Sequence, residues 1–395
     1  MQETELSGSL FENAQSAFSQ KTDSELRQAY RIFKSFNNPL LLKLGTGFTN
    51  LALKLRLPVE GIIRRTAFRQ FCGGETPEEC AGAISHLRQQ GIFSAIQHSI
   101  ETKSSEAEFV RVTEELLRAI EFARKNNNIK MVCCKPTGIA DIYLLERLHK
   151  NPNASSDDAK AVERIRQRMD AMCKAASAAG VKLFFDAEET WIQNPLDELV
   201  NEMMARHNRQ SPVVFNTFQL YAVRRLDALK NSFQKAKTGN YFLGAKLVRG
   251  AYMEMERERA HQHNTSSPVH PDKGATDNDY NLAIDFCVEH LDRIAFSAST
   301  HNEQSCLRLI HLINEKSIPR NHPHIFFSQL YGMGEHITYT LAKEGYNSVK
   351  LVPYGKVREV IPYLIRRAEE NSSVAGQVGR ELQILEKELR RRKLI

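Results

Sequence analysis

Two adjacent arginines near the end of the chain, Arg366 and Arg367, could bind an anion. They lie on a predicted helix whose other residues are mainly apolar, and Glu370 follows on the same helical face. Neighbouring guanidiniums repel each other unless an anion separates them, and their planar forks of donors suit a carboxylate or a phosphate. A solvent-exposed basic helix face is the simpler interpretation, but the polar residues at the ends of the predicted strands argue against it.

Charged and polar side chains also end several predicted strands. The carboxyl ends of parallel barrel strands meet at one face, where active sites are built. One charge there could be a structural ion pair, but a ring of charges predicts a binding site, and an excess of cations predicts an anionic ligand. The residues are Lys135, Asp186, Glu188, Glu189, Asn216, Thr217, Gln219, Tyr221, Lys246, Arg249, Thr300, His301, Asn302 and Gln329.

Short apolar segments alternate with amphipathic helical segments over most of the chain. Eight such units predict an α/β fold, a distorted (βα)8 TIM barrel, with a doubly wound sheet as the alternative. No GxGxxG motif follows the first strand, which favours the barrel. We divide the chain into an N-terminal helical segment (1–90), a catalytic barrel (91–371) and a C-terminal amphipathic helix (372–395). The predicted strands are Ile92–Gln97, Lys130–Lys135, Lys182–Asp186, Val213–Asn216, Phe242–Val248, Ile294–Ser299, Ile325–Gln329 and Ser348–Val352.

Composition narrows the class of protein. A chain of 395 residues with 42% hydrophobic and 26% charged residues is typical of a globular protein. The net charge of +7 is dispersed, which argues against a nucleic-acid partner. The seven cysteines form no CxxC pair and no Cys/His ligand spacing, so we expect a reducing compartment and no metal site. No apolar run is long enough to cross a bilayer, and no signal peptide is recognised, so we expect neither a secreted nor an integral protein.

Nine short motifs follow one another along the chain. They are Lys135-x-Thr137, Asp186-Ala187-Glu188, Asn216-Thr217-x-Gln219-x-Tyr221, Lys246-Leu247-Val248-Arg249-Gly250-Ala251-Tyr252, Thr276-Asp277-x-x-Tyr280, Thr300-His301-Asn302, Tyr331-Gly332-Met333-Gly334, Tyr354-Gly355 and Arg366-Arg367-Ala368-x-Glu370-Asn371. Taken together, these motifs resemble those of the proline dehydrogenase family. No single motif is specific, but their combination, in the family's order over roughly residues 70 to 390, is.

The resemblance implies non-covalent FAD at the strand ends and oxidation of L-proline to Δ1-pyrroline-5-carboxylate in proline catabolism. Hydride would pass to the flavin N5, and electrons would then pass to a membrane quinone. The protein would be cytoplasmic, with peripheral contact at the inner face of the membrane. The residues that would line the FAD site are Ala187, Gln219, Lys246, Val248, Arg249, Gly250, Ala251, Thr300, His301 and Gln329.

The same resemblance assigns roles around the substrate. Lys246 would stand beside the flavin N5, where many members carry arginine, and a cation there stabilises the anionic reduced flavin. Asp186 would order the site between Lys135 and the cofactor. The residues that would bind the imino acid are Lys135, Arg366 and Arg367 at its carboxylate, Tyr252 and Leu351 at its ring, and Glu370 beside the arginines.

Two positions depart from the family pattern. Leu351 stands where members carry a tyrosine against the substrate ring, and Gln97-His98 replaces an Asp-Tyr pair, although Glu101 keeps an acidic position that could gate the site. The change at Leu351 leaves 4-hydroxyproline as an alternative substrate. A non-catalytic basic binding protein is a third interpretation, which the ring of strand-end residues opposes.

Overall fold

Eight parallel strands close into a barrel in sequence order, which confirms the predicted (βα)8 fold and excludes the doubly wound sheet. The structure is a computed structural model that describes residues 10–12, 18, 21–36, 38, 59–100, 102–152, 155–373 and 377–395; the side chains of residues 369–373 and 377–378 are outside this description. The strands are β1 (Phe93–His98), β2 (Ile129–Cys134), β3 (Lys182–Phe185), β4 (Val214–Gln219), β5 (Leu243–Val248), β6 (Ile294–Ser299), β7 (Ile325–Leu330) and β8 (Ser348–Tyr354).

The register of the central strands aligns their ends. Cys134 pairs with Phe185, Phe185 with Asn216, Asn216 with Ala245, and Ala245 with Phe296. The next residue along each strand therefore enters one common layer across the sheet. We call this layer the strand-end layer. It holds Lys135, Asp186, Thr217, Lys246 and Ser297.

Helices follow the strands as the sequence pattern predicted, with two additions. The helix Ile142–Lys150 begins where the Asp141 side chain accepts hydrogen bonds from two backbone amides, those of Tyr143 and Leu144. The short, highly charged helix Met253–Gln262 has too few apolar residues for a periodic signal. The remaining helices of ten residues or more between β1 and β8 are Glu106–Lys125, Ser156–Ala179, Thr190–His207, Arg225–Gly239, Lys273–Glu289 and Glu303–Glu315.

Two strands, β4 and β8, end two or more residues later than predicted, each for a reason in its pairing. β4 continues to Gln219 because that residue pairs with Val248 of β5. β8 continues through the expected turn to Tyr354, because Gly74 forms a parallel bridge with Tyr354 and the Gly73 amide donates to the Pro353 carbonyl at 2.9 Å. The chain turns only at Gly355, whose φ of +148° favours glycine.

The chain divides into two compact units. One comprises residues 1–94, 301–303 and 328–395, and the other comprises residues 95–300 and 304–327. In the first unit, the helices Asp23–Phe36 and Gln377–Arg391 contribute Phe33, Leu385 and Leu389 to a single apolar cluster. The C-terminal helix is thus docked by its apolar face. The boundaries near residues 90 and 371 remain a prediction, and the helix expected within residues 39–57 lies outside the described residues.

Charges at the end of the C-terminal helix are paired. Glu388 is fully buried and lies 2.7 Å from Arg391 and from Arg392, and Arg392 also lies 3.0 Å from Asp23. Arg392 donates to the Phe18 carbonyl as well. Arg392 therefore helps to dock the C-terminal helix, whereas Arg391 pairs with a residue of that helix itself.

Two further observations concern the whole described chain. Among the described helices, none combines the length and the apolar composition that crossing a membrane requires. All seven cysteines are buried without a disulfide, and burial raises the pKa of the thiols of Cys80 and Cys133 to about 12. These thiols pack as small apolar groups.

Candidate active site

A buried ion pair joins Asp186 and Lys246, two predicted site residues on different strands. The ammonium of Lys246 lies 2.7 Å from one carboxylate oxygen of Asp186, and both side chains are less than a fifth exposed. The side-chain amide of Gln97, at the end of β1, donates a hydrogen bond to the other carboxylate oxygen. Because both oxygens are held, the carboxylate has one orientation and the ammonium has a fixed place in the strand-end layer. Lys135 is half-buried in the same layer.

Glu188 links three neighbouring segments within the unit that comprises residues 95–300 and 304–327. Its carboxylate accepts hydrogen bonds from the Thr137 amide at 3.0 Å, the Thr137 hydroxyl at 2.7 Å and the Tyr252 hydroxyl at 3.0 Å. Its carbonyl accepts from the Gln219 amide at 2.7 Å. The segments after β2, β3 and β5 are therefore linked through one buried residue, 1% exposed. Sequence reasoning placed Glu188 in a motif but gave it no role.

Gly250 makes a tight backbone turn directly after β5. Its φ is +140°, and a Cβ atom there would fall 1.4 Å from the ring of Tyr221. No other residue fits without displacing that buried ring. The next amide, that of Ala251, donates to the Gln219 side chain at 3.2 Å. Gly250 and Ala251 are exposed, so this turn presents its backbone beside the strand-end layer.

Arg249 is bound by protein groups on all three of its nitrogens. Its guanidinium donates to Asp277 at 2.7 Å, to Thr300 at 2.7 Å and to Ser305 at 3.0 Å. It also lies 4.4 Å from the ring centroid of Tyr280. Burial alone would raise the pKa of Asp277, but hydrogen bonds from Lys273 and Arg249 outweigh burial and lower that pKa. The structure therefore brings the predicted residues Arg249 and Thr300 together and explains the Thr276-Asp277-x-x-Tyr280 motif.

The other unit holds its own group of predicted residues. The Gln329 side chain accepts from the Thr338 hydroxyl at 2.9 Å, and His301 accepts from the Leu330 amide at 3.4 Å. Gly334 lies close to this imidazole, since a Cβ atom there would be 2.7 Å from the Nδ1 of His301. Both predicted residues are thus fixed at the ends of β6 and β7.

β8 and the following helix carry the remaining predicted residues. Leu351 is half-buried, and its carbonyl accepts from the Tyr331 amide at 2.9 Å. Arg366 and Arg367 are half-buried on the helix Val357–Ser373, and the Arg367 guanidinium lies 5.3 Å from the Tyr363 ring centroid. Glu370 lies on the same helix, with its side chain outside the described residues.

The remaining predicted residues, Ala187 and Val248, take places beside those already described. Ala187 is 7% exposed between Asp186 and Glu188, and Val248 ends β5 opposite Gln219. Sequence reasoning missed Gln97 as a partner of Asp186, because only its departure from the family pattern was visible.

Glu189 is a buried carboxyl beside this group. Burial raises its pKa to about 7, the carboxylates of Glu188 and Glu256 act in the same direction, and the Lys135 ammonium opposes them. One carboxyl oxygen of Glu189 is buried without a hydrogen-bond partner. The folded state therefore favours the protonated form of Glu189.

We expect Glu189→Gln to change the pH dependence of stability. Because the folded-state pKa is raised from 4.5 to about 7, this group's stabilising contribution is complete below pH 4.5 and declines as the pH rises through 7. Each unit of pKa corresponds to about 1.4 kcal/mol. The free energy of unfolding of the variant, relative to that of the unsubstituted protein, should therefore rise by about 2–3 kcal/mol as the pH is raised from 5 to 8. Denaturant unfolding at several pH values measures this difference.

The exposed Glu198, on the same helix, provides the matched control. Glu198→Gln should leave the pH dependence close to that of the unsubstituted protein. A stability difference between Glu189→Gln and the unsubstituted protein that does not vary with pH would contradict the assignment.

Comparisons with known proteins identify the family to which the chain belongs. A sequence model described as "Proline dehydrogenase" matches residues 80–380. The carbapenem antibiotics biosynthesis protein CarD of Pectobacterium carotovorum is 34% identical over 322 residues, covering 82% of this chain and 83% of that protein. "Proline dehydrogenase 1, mitochondrial" of Dictyostelium discoideum is 30% identical, covering 94% of this chain and 73% of that protein. The hydroxyproline dehydrogenase of Xenopus laevis is 28% identical, covering 95% and 88%.

A solved structure shows the same fold. Proline utilization A from Bdellovibrio bacteriovorus, inactivated by N-propargylglycine, superimposes with a TM-score of 0.72 at 20% identity. The match covers 92% of this chain and 38% of that chain, so this chain corresponds to a part of the larger protein. The sequence-model match extends over most of the chain and includes the strand-end layer. The chain belongs to the proline dehydrogenase family.

Proposed function

We propose that this oxidoreductase catalyses the flavin-dependent oxidation of L-proline to Δ1-pyrroline-5-carboxylate. The reaction turns a ring C–N single bond into C=N: a hydride leaves the carbon next to nitrogen, and a proton leaves the nitrogen. The observation that carries the proposal is the buried Lys246–Asp186 pair in the strand-end layer of a family member. It holds a positive charge at the face where barrel enzymes do their chemistry.

The residues present fit FAD. The exposed backbone of Gly250 and Ala251 would suit the close approach of a flat ring, because its peptide groups lie open beside the strand-end layer. The residues predicted to line the FAD site supply donors and acceptors of the kinds that a flavin and its diphosphate bind. They are amides, a hydroxyl, an imidazole and cations. When bound, FAD would accept the hydride and pass the electrons to a membrane quinone.

Lys246 is proposed to keep its positive charge beside the cofactor, with Asp186 fixing the position of that charge. A fixed charge placed before the reaction stabilises developing negative charge without reorganisation. Gln97 supports this arrangement by holding the second oxygen of Asp186. Arg249, whose nitrogens bind Asp277, Thr300 and Ser305, is proposed to order the cofactor-binding segments through those contacts.

The substrate carboxylate is proposed to be bound by Lys135, Arg366 and Arg367. Guanidinium and ammonium donors form charge-assisted hydrogen bonds to carboxylates, which are stronger than neutral ones. Tyr252 is proposed to pack on the pyrrolidine ring, Leu351 to shape the pocket beside it, and Glu370 to accompany the arginines.

Electron transfer to a membrane quinone requires peripheral contact with the membrane, which we propose at the inner face of the cytoplasmic membrane. Basic residues near an anionic surface contribute about 1 kcal/mol each. In the tail, however, Arg391 and Arg392 are paired with Glu388. Arg390 and Lys393 are exposed at the same end of the helix, and we propose that they make a weak, salt-sensitive contact with the membrane.

Changing Arg366 or Arg367 to Met should raise the KM for L-proline while flavin is retained. Loss of one partner from a charged hydrogen-bonded contact costs about 2–5 kcal/mol, so we expect at least about a tenfold increase. Steady-state kinetics with an artificial electron acceptor measure KM, and visible absorbance of the purified protein measures flavin content.

Arg390→Met, at the exposed end of the C-terminal helix, is the control for loss of an arginine. A near-normal KM in both Arg366→Met and Arg367→Met would place the carboxylate site elsewhere. A colourless protein without imino acid oxidation would contradict the enzyme assignment and favour a non-catalytic basic binding protein.

A second candidate substrate is 4-hydroxyproline. Hydroxyproline dehydrogenases of Xenopus laevis and Rattus norvegicus are 28% and 29% identical to the chain, and Leu351 replaces the tyrosine of the family pattern. Leucine makes the pocket roomier but offers no hydrogen bond, and a buried unpaired hydroxyl costs about 1–3 kcal/mol. L-Proline therefore remains the substrate that we propose.

Leu351→Tyr should increase discrimination against hydroxyproline, because the larger ring excludes the substrate hydroxyl. The ratio of kcat/KM for the two imino acids, in the unsubstituted enzyme and in the variant, measures it. Leu351→Met, which conserves volume and polarity, should leave the ratio nearly unchanged. Weaker discrimination in Leu351→Tyr, or a strong native preference for hydroxyproline, would refute this account of the pocket.

A further inference from the structure

The Glu188 carboxylate binds Tyr252 in a way that the proposed chemistry does not use. One of its oxygens accepts both the amide and the hydroxyl hydrogen of Thr137, and the other accepts the Tyr252 hydroxyl at 3.0 Å. The carboxylate is 1% exposed, so its bonds are made inside the protein. An acceptor with three donors in a dry site holds each donor in one place.

The backbone of Glu188 is fixed as firmly as its side chain. Its amide donates to the Gln193 side chain at 2.8 Å, and its carbonyl accepts from Gln219 at 2.7 Å. Gln193 in turn donates to Asp197 at 2.8 Å, and Asp197 lies 2.6 Å from Arg225. Glu188 is therefore anchored to the helix Thr190–His207 and to β4 before it contacts Tyr252.

Tyr252 lies between an exposed turn and a helix, where a side-chain contact can fix its position. It follows the exposed turn at Gly250 and Ala251, and it precedes the first residue of the helix Met253–Gln262 without forming a side-chain cap. Its ring is only half-buried, so packing covers part of it. The hydroxyl bond to Glu188 fixes the far end of the side chain, and thus the position and direction of the ring.

We propose that Glu188 is a positioning residue: by holding the Tyr252 hydroxyl, it sets the position of the ring against which a five-membered ring substrate packs. The inference rests on the proposed function, in which Tyr252 contacts the substrate ring. Glu188 itself touches no substrate. Its effect is on affinity for the ring of the ligand and leaves affinity for the carboxylate unchanged.

A purely structural role for Glu188 predicts a different result. If the residue only links Thr137 to the segment after β3, the Tyr252 hydroxyl has no effect on ligand binding. Tyr252→Phe removes that hydroxyl and keeps the ring, so it separates the two roles without disturbing Thr137.

The test compares two carboxylate probes on the holoenzyme. Tetrahydrofuran-2-carboxylate has the five-membered ring with oxygen in place of nitrogen, and propionate has the carboxylate without the ring. Calorimetric titration gives the Kd of each probe for the unsubstituted protein and for Tyr252→Phe, Glu188→Ala, Glu188→Gln and the double variant Glu188→Ala/Tyr252→Phe. Thermal unfolding of the same proteins reports on folding independently of binding.

We expect Tyr252→Phe and Glu188→Ala each to raise the Kd of the ring probe about threefold to tenfold, as for loss of one hydrogen bond. The double variant should be no weaker than Tyr252→Phe, because the two residues act through one contact. Glu188→Gln should recover most of the affinity, since its oxygen can serve Thr137 while its amide donates to the Tyr252 hydroxyl. Propionate should bind all of these proteins with nearly the same Kd.

Glu256→Gln is the matched control, because Glu256 is equally buried on the helix after Tyr252 and accepts from the amide and hydroxyl of Thr190 at 2.7 Å each. It should leave the ratio of the two Kd values unchanged. An unchanged ring-probe Kd in Tyr252→Phe, or effects that multiply in the double variant, would overturn the proposal. If Glu188→Ala does not fold, Tyr252→Phe and Glu188→Gln still decide it. An unsubstituted protein that binds neither probe would refute the proposed function, and this inference with it.

Discussion

The ion pair between Lys246 and Asp186 is the contact on which the strand-end layer depends. Removing two charges from water costs several kcal/mol for each ion, and only good geometry and further hydrogen bonds offset that cost. Here the two groups lie 2.7 Å apart, and Gln97 binds the remaining carboxylate oxygen. Loss of either partner would leave an uncompensated charge inside the protein. The pair is therefore a fixed electrostatic feature of the barrel face.

The register of the strands determines which residues share that face. Because Cys134, Phe185, Asn216 and Ala245 are aligned, the residues that follow them form one layer. A shift of one residue in any strand would turn its side chain to the other face of the sheet. The parallel pairing thus places a lysine from β5 opposite a carboxylate that follows β3.

Asp186 and Glu188 are two buried carboxylates only two residues apart, yet they act differently. Asp186 meets an ammonium, whereas Glu188 meets hydroxyl and amide donors from Thr137 and Tyr252. The first arrangement holds a charge in place, and the second holds an aromatic ring. Glu189, the next residue, has no partner for one buried oxygen and favours its protonated form. Surroundings, more than residue type, decide the role of each carboxyl.

Much of the fold could be predicted from the sequence, because local signals were strong. The strand Ile294–Ser299 has the predicted bounds, and Ser105 caps the helix Glu106–Lys125 by accepting from the Glu108 amide. The contacts within the site could not be predicted. Thr137 and Tyr252 lie 51 and 64 residues from Glu188, and Gln97 lies 89 residues from Asp186. No periodicity or motif in one sequence encodes such distant pairs.

The reduction potential of the proposed flavin tests the central claim most directly, namely the proposal that Asp186 fixes the charge of Lys246 beside the cofactor. Lys246→Met should lower the potential, on the order of 30 mV or more for a two-electron couple, because negative charge on the reduced cofactor loses its cation. Asp186→Asn should raise it, because the lysine charge is no longer offset by a carboxylate. Spectroelectrochemical titration of variants that retain flavin measures both values. Unchanged potentials, or shifts in the same direction, would contradict the account.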